Sequence, residues 1–281
     1  MNQKTVRRLP IYIALILLAL VSVVPFVWML ATSFKNGPDV YTQVPQLLPL
    51  DKKTGEWNPT LGNYEYVLSI SGLGTAFWNS VWITCVLVPV KLLIDALAAY
   101  AFARIPFPGR DKIFVLMLAG MMVPTITLLV PRLHVTQVLG VYDSPWGIIL
   151  PNVASVLDIF LMRQFFRTLP VELEEAARID GAGRMAIFWR VILPLSKPVL
   201  AVVTITSFIF HWNDLVWPLI VLNSPDYYTL PLALQQLAST ESGRAYYIMA
   251  GAALAVIPVM VVLLIFQRRI MQGIAFSGLK S

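Results

Sequence analysis

The sequence predicts an all-α membrane protein with six transmembrane helices and both termini in the cytoplasm. Three observations lead there. Apolar residues make up 58% of the 281-residue chain and charged residues 13%, against roughly 45–50% and roughly 25% in soluble domains. Six stretches are long enough to cross a hydrocarbon core, which takes about 20 apolar residues. The Lys and Arg residues alternate from rich loops to poor loops, as membrane topology requires. Mean hydropathy is +0.73, so an ordinary soluble enzyme, a nucleic-acid module and a disordered chain are all excluded.

The first stretch runs from Leu9 to Ser33, with no charge between Arg8 and Lys35. Lys4, Arg7 and Arg8 give it the look of a signal peptide. Its apolar run is too long for one, and no small-x-small cleavage site closes it. An uncleaved helix is expected. The second stretch, about Phe77 to Phe102, carries Lys91 and Asp95. The third, Ile113 to Pro131, carries no charge. The fourth, Pro145 to Met162, holds Asp158 near its end. The fifth, Pro198 to Leu222, holds Asp214, and the sixth, Tyr246 to Gln267, is uncharged.

Orientation follows from the basic residues. With the N-terminus inside, the inner segments hold 15 Lys and Arg and the outer segments 5, with Lys91 inside a span. That bias sets both ends in the cytoplasm. It also explains the net charge of +6, which in a soluble chain would suggest nucleic acid. The expected divisions are a cytoplasmic tail at 1–8, a first helix at 9–33, an extracytoplasmic loop at 34–76, a five-helix core at 77–267 and a cytoplasmic tail at 268–281. A second outer loop covers 223–245, and the longest inner loop covers 163–197.

Site chemistry is sparse. There is one cysteine, Cys85, and two histidines, His134 and His211, lie far apart. No disulfide or cysteine-based metal cluster is possible within the chain. No G-x-x-x-x-G-K-[ST] phosphate loop, H-E-x-x-H or G-x-S-x-G occurs. Catalytic, cofactor-binding and metal-binding residues are therefore expected to be absent, and a membrane enzyme is disfavoured.

The inner loop is the informative stretch. Pro170 suits a first helical turn. Glu172, Glu174 and Glu175 follow at the positive end of the helix dipole. The helix is expected to reach Asp180 and stop at Gly181. Leu173, Ala176, Ala177 and Asp180 share one face by their spacing, and the two alanines allow close approach of another surface. A second short helix, Met185 to Leu193, presents Phe188 and Trp189. A helix lying on the inner leaflet would carry Lys and Arg on its polar face. This one is acidic, so a helix set into a groove of a cytosolic partner fits better.

Glu175-Ala176-Ala177, three residues, Gly181, nine residues and then Val191-Ile192-Leu193-Pro194 resemble the EAA loop of bacterial ABC-transporter permeases. Val191 stands where that pattern usually has isoleucine. Arg178 to Ala182, Leu193 to Pro198, and Ala99 to Arg104 with Phe107 and Gly109 resemble the carbohydrate-importer branch. So does His211-Trp212-Asn213-Asp214 with Trp217-Pro218-Leu219. The likeness covers nearly the whole chain and is nearest to the maltose-type second permease subunit.

The resemblance implies a type I ABC importer permease fold in a bacterial or archaeal cytoplasmic membrane. It implies a second permease, two cytosolic ATP-binding subunits, an extracytoplasmic solute-binding protein and a carbohydrate or sugar-like solute. ATP and magnesium would sit on the partner subunits, with no cofactor on this chain. Glu172, Glu175, Ala176, Ala177, Asp180, Gly181 and Pro194 would couple to the ATPase.

Ionisable groups inside a membrane are costly and need a partner or a task. Lys91 and Asp95, four residues apart, are expected to form a self-neutralising structural pair. Asp158, a turn from the inner end of its helix, is expected to reach interfacial water. Trp212, Asn213, Asp214 and Trp217 form the candidate substrate path, with Asn213 and Trp217 on one face. Aromatic rings and polar groups suit a sugar, but helix–helix hydrogen bonding explains the same cluster, and both readings stand. A self-sufficient secondary carrier is the rival function. It would leave the acidic loop unexplained.

Overall fold

A computed structural model describes residues 3–42 and 44–278, with side chains described for 10–42, 44–69 and 71–267. Among the described residues the regular structure is helical, apart from one isolated bridge between Leu50 and Trp57. Three helices are long and apolar enough to cross a bilayer: Pro10–Ser33, Leu73–Arg104 and Ala245–Gln267. Three bent helix pairs bring the number of possible spans to 6. The cytoplasmic tail expected at 268–281 lies outside the described side chains, and 279–281 lie outside the described residues altogether.

The chain forms two compact units. One comprises Met1–Thr75 and Ala233–Ile257, the other Ala76–Leu232 and Pro258–Ser281. In the first unit, α1 (Gln3–Ser33) is exposed along its apolar length, as a lipid-facing helix is. Its C-terminal carbonyls are capped by the following loop. Asn63 Nδ2 donates to the Ser33 and Lys35 carbonyls, each at 2.8 Å. Tyr66 donates to Glu241 Oε1 at 2.6 Å and stacks on Tyr247 with centroids 4.0 Å apart.

The second unit holds most of α2 (Leu73–Arg104), followed by α3 (Arg110–Gly120) and α4 (Leu129–Val138). α5 (Pro145–Ile149) leads through a 3-10 turn, Leu150–Asn152, to α6 (Val156–Thr168). After α7 (Glu172–Ile179) and a short irregular helix come α8 (Lys197–Trp212) and α9 (Val216–Val221). Most of α10 (Leu230–Thr240) and the start of α11 (Ala245–Gly278), as far as Ile257, belong to the first unit, and the rest of α11 belongs to the second.

Three predicted spans are not straight. The third breaks after Gly120, and its halves, Arg110–Gly120 and Thr125–Val138, are bent by 95°. Pro124 is the cause: it lacks an N–H and pushes Val123 out of the helical region. The fourth bends by 41° between Pro145–Asn152 and Val156–Thr168. Asn152 Nδ2 satisfies the Ile148 carbonyl at 2.7 Å, and Ser155 Oγ caps the new helix by accepting from Asp158 N–H at 3.4 Å. The fifth ends at Trp212 instead of running on to Leu222. Pro218 cannot donate to the Asp214 carbonyl, and the Asp214 carboxylate accepts the Trp217 N–H at 3.3 Å, starting a separate turn.

Two apolar clusters fill the second unit. One gathers Ala96, Ala99 and Tyr100 of α2 with Phe114, Met162, Phe166, Phe188 and Val203. The other gathers Ile83 and Leu87 of α2 with Ile148, Ile149, Trp217 and Val221. Lys91 and Asp95 lie on α2 between the two sets, so the unit has a polar layer between two apolar ones.

Candidate functional site

The acidic helix α7 is eight residues long and closes as a Schellman motif. Gly181 N–H donates to the Arg178 carbonyl at 3.0 Å and Ala182 N–H to the Ala177 carbonyl at 2.8 Å. That closure needs a left-handed residue at Gly181, whose φ is +82°, and glycine adopts it without steric cost. The helix therefore stops at a defined point. Asp180 is its C-cap, and Pro170 lies before it in the loop, outside the first turn where it was expected.

The face turned to the protein is a narrow one, and most of the face expected to meet a partner is left open. Glu174 is buried and Ala177 half-buried, whereas Glu172, Leu173, Glu175, Ala176, Asp180 and Gly181 are exposed. Ile179 is 86% exposed. Glu174 was overlooked as a site residue. Its Oε1 lies 2.8 Å from Arg104 Nε, at the end of α2. Arg104 Nη2 also donates to the Phe166 and Leu169 carbonyls at 2.7 and 2.6 Å. One guanidinium thus holds the ends of α2 and α6 and the middle of α7. The spacing Glu174–Ala177–Arg178 was the available signal, because i, i+3 and i+4 share a face.

A cleft of about 720 Å³ adjoins this junction, lined by Tyr100, Arg104, Glu174, Arg178 and Arg184 among others. The second short helix differs from expectation. Phe188 is buried against Tyr100, with centroids 5.3 Å apart, and does not face outward. Trp189 is exposed, as is Pro194. A wide π turn, Phe188–Ile192, rotates Phe188 into the core.

In the polar layer, Lys91 Nζ lies 2.8 Å from Asp95 Oδ2 and also donates to Asp158 Oδ2. Ser207 Oγ donates to the same Asp158 oxygen at 3.0 Å, and Ser155 N–H donates to Asp95 Oδ1 at 2.9 Å. Asp158 is therefore not an interfacial carboxylate. It is buried in the first turn of α6, where the break in the fourth span places it opposite Lys91. A lysine shared by two carboxylates lowers the cost of burying all three.

The cluster in the fifth span is dispersed. Trp212 is buried, stacked on Phe208 with centroids 5.6 Å apart and edge-on to Phe77. Trp217 is buried, with Nε1 donating to the Gly147 carbonyl at 3.0 Å and the Arg132 guanidinium 4.0 Å from its ring centroid. Asn213 is exposed at the break, with Nδ2 donating to the Ile209 carbonyl at 2.8 Å, and Asp214 is half-buried. Asn213 and Trp217 do not share a helix face, since the helix ends between them. Among the described residues no group of three or more His, Cys, Asp or Glu is placed to hold a metal.

Residues 92–275 match the family described as binding-protein-dependent transport system inner membrane component. The chain is 33% identical over 264 residues to the arabinooligosaccharides transport system permease protein of Halalkalibacterium halodurans, covering 94% of this chain and 93% of that protein. It is 35% identical over 223 residues to the sn-glycerol-3-phosphate transport system permease protein of Yersinia pestis, covering 79% and 78%. Its fold matches a chain in the crystal structure of a bacterial ABC transporter involved in the import of the acidic polysaccharide alginate. The TM-score is 0.81 at 25% identity, over 95% of this chain and 98% of that one.

Proposed function

The chain belongs to the family of binding-protein-dependent transport system inner membrane components, and from that premise we propose how it works as a permease subunit of an ATP-driven carbohydrate importer. The observation that carries this reading is α7. It is short, rigidly closed at Gly181 and anchored from behind by Arg104, yet its outer face, with Leu173, Ala176 and Ile179, is uncovered in the chain alone. An apolar and acidic helix face of that kind suits the groove of a cytosolic partner.

The partner is an ATP-binding subunit, since the chain has no phosphate loop of its own. Two such subunits, a second permease and an extracytoplasmic solute-binding protein complete the complex in a bacterial or archaeal cytoplasmic membrane. ATP and magnesium belong to the partner, and this chain contributes no catalytic group. Glu172, Glu175, Ala176, Ala177, Asp180, Gly181 and Pro194 form the coupling surface. Both termini are cytoplasmic, which puts α7 on the ATPase side. ATP drives the cycle by binding one conformation of the complex more tightly than the other, and α7 moves with the ATPase as one body.

A named sugar-oligomer relative and the aromatic and polar groups of the second unit support a carbohydrate or sugar-like solute. The test is co-purification of the tagged chain with an ATPase subunit, followed by cross-linking from Ala176→Cys. A stable complex with an Ala176–ATPase cross-link is expected. Uptake by the purified chain alone, without ATP, would favour the secondary-carrier reading.

A further inference from the structure

Three helix breaks in the second unit meet at one cavity. Thr125 follows the break at Pro124. Asn152 and Ser155 flank the break in the fourth span. His211 lies one residue before the end of α8. The cavity has a volume of about 540 Å³, within the range of small-ligand sites. Irregular backbone at membrane depth persists only where it is buried in protein or lines a water-filled cavity. In secondary transporters such breaks mark solute sites near the bilayer midplane. Lys91, at the cavity wall, lies about 27 Å along α2 from Leu73 at roughly 1.5 Å per residue, near the middle of that helix.

The lining is built for hydroxyl groups. Asn152 spends its amide N–H on the Ile148 carbonyl, at 2.7 Å, and keeps its oxygen as an acceptor. Thr206 Oγ1 donates to its own helix, to the Val202 carbonyl at 3.0 Å, and likewise keeps acceptor capacity. Asp158 supplies a carboxylate edge, and His211 supplies a ring donor and acceptor. Phe210 is 67% exposed beside His211, with their rings edge to face at 5.1 Å. Its ring is the apolar surface that the C–H face of a sugar or polyol would cover.

The charge at the wall selects further. Lys91 meets two carboxylates, Asp95 and Asp158, so the cluster carries a formal charge of −1 with His211 neutral. An anionic solute would be repelled by that charge.

We propose that this cavity is a solute subsite for a neutral polyhydroxylated compound. Asn152, Asp158, Thr206 and His211 bond its hydroxyl groups, and Phe210 covers one face. The proposal rests on the importer reading above and locates the solute away from Trp212 and Trp217.

The test uses the full complex in proteoliposomes, with Cys85→Ser as the background. Uptake and solute-stimulated ATP hydrolysis are first measured with two neutral probes, arabinotriose and maltotriose, and two anionic ones, trigalacturonate and glycerol 3-phosphate. Thr206→Cys and Asn152→Cys are then treated with a water-soluble thiol reagent in each nucleotide state. Labelling in at least one state is expected, and the transported neutral probe should slow it at least tenfold. Asn152→Cys removes a helix-end bond; if that variant does not assemble, Thr206→Cys carries the measurement. Cysteines unreactive in every state would mean that a partner helix fills the cavity, and the subsite is overturned. Labelling that ignores a transported probe, or uptake confined to the anionic probes, overturns it too while leaving the importer reading intact. If no probe enters or stimulates hydrolysis, the importer reading falls with it.

Discussion

Arg104 Nε lies 2.8 Å from Glu174 Oε1, both side chains nearly sealed from solvent. The pair joins the end of a long membrane helix to the helix proposed to dock on the ATPase. Arg104 also holds the last carbonyls of α6. A push on α7 by a docked partner would be delivered to two spans through one planar group, whose several fixed donors suit it to that task.

Removing one partner of this pair leaves a buried charge uncompensated, at a cost of about 3–5 kcal/mol. Glu174→Ala should lower the thermal stability of the complex markedly. Glu174→Gln keeps the shape and should be milder, with less solute carried per ATP hydrolysed. Arg104→Lys keeps the charge but cannot reach Glu174 and both carbonyls together, so it should resemble Glu174→Gln. The three variants are compared by melting temperature and by the ratio of uptake to hydrolysis. An unchanged ratio in all of them would show that the pair is structural only.

Gly181 separates backbone strain from contact with a partner. Its φ of +82° disfavours any side chain, yet a Cβ built there meets nothing within 4 Å in this chain. Gly181→Ala should cost about 1–2 kcal/mol of local strain and little else. Gly181→Phe adds bulk in open space, so any further loss reports a surface supplied by the ATPase. Pull-down of the ATPase subunit should fall for Gly181→Phe and survive for Gly181→Ala, with both chains still in the membrane. Equal pull-down would place the docking surface elsewhere.

Much of this was legible before any coordinates. The long apolar runs at Leu9–Ser33 and Tyr246–Gln267 needed only length and hydropathy. Gly181 as a stop needed only helix-end chemistry. What failed was local. Apolar counts treat Ile113–Pro131 as one span because hydropathy does not register the missing N–H of Pro124. Glu174 does not stand out in the sequence from the neighbouring acids Glu172 and Glu175, because its partner lies 70 residues upstream. Asp158 could not be paired with Lys91 until the bend at Val153–Ser155 fixed the register of α6 against α2. Burial of Trp212 and Trp217 is a tertiary fact that one helix cannot announce.

Asp143 gives a pH-dependent prediction outside the spans. Its Oδ1 accepts the N–H groups of Asn223 and Ser224 at 2.7 and 2.9 Å, and Oδ2 accepts Ser224 Oγ at 2.5 Å. The Ser224 hydroxyl first, and then the two N–H groups, hold its carboxyl below the ordinary carboxylate value. A depressed folded-state pKa stabilises the fold fully above the unfolded value of about 3.9. That contribution disappears as pH falls through the lower, folded value. Asp143 also has φ +53°, which asparagine tolerates better than alanine. Asp143→Asn should lower the melting temperature at pH 7, Asp143→Ala more so, and the gap between wild type and Asp143→Asn should shrink toward pH 2. A gap that is constant with pH would mean that the charge contributes nothing.

Trp217 and Asn213 must now behave differently, although their spacing once placed them on one face. Trp217 is sandwiched: its indole donates to the Gly147 carbonyl, and Arg132 covers its face. Trp217→Ala deletes a core side chain and should cost about 3–5 kcal/mol. Trp217→Phe keeps most of the packing but leaves a buried carbonyl unpaired, at about 1–3 kcal/mol. Asn213 is exposed at the break between α8 and α9, with its side chain bonded to its own helix end at Ile209, so Asn213→Ala should leave the melting temperature nearly unchanged. Its effect is read in uptake: if the break lines the solute path, Asn213→Ala lowers uptake at unchanged stability. Thiol labelling makes the same division, with a cysteine at 213 reactive and one at 217 protected, in a Cys85→Ser background. Equal reactivity would mean that the two positions share a water-filled face after all, and that the helix runs unbroken through Pro218 in the working complex.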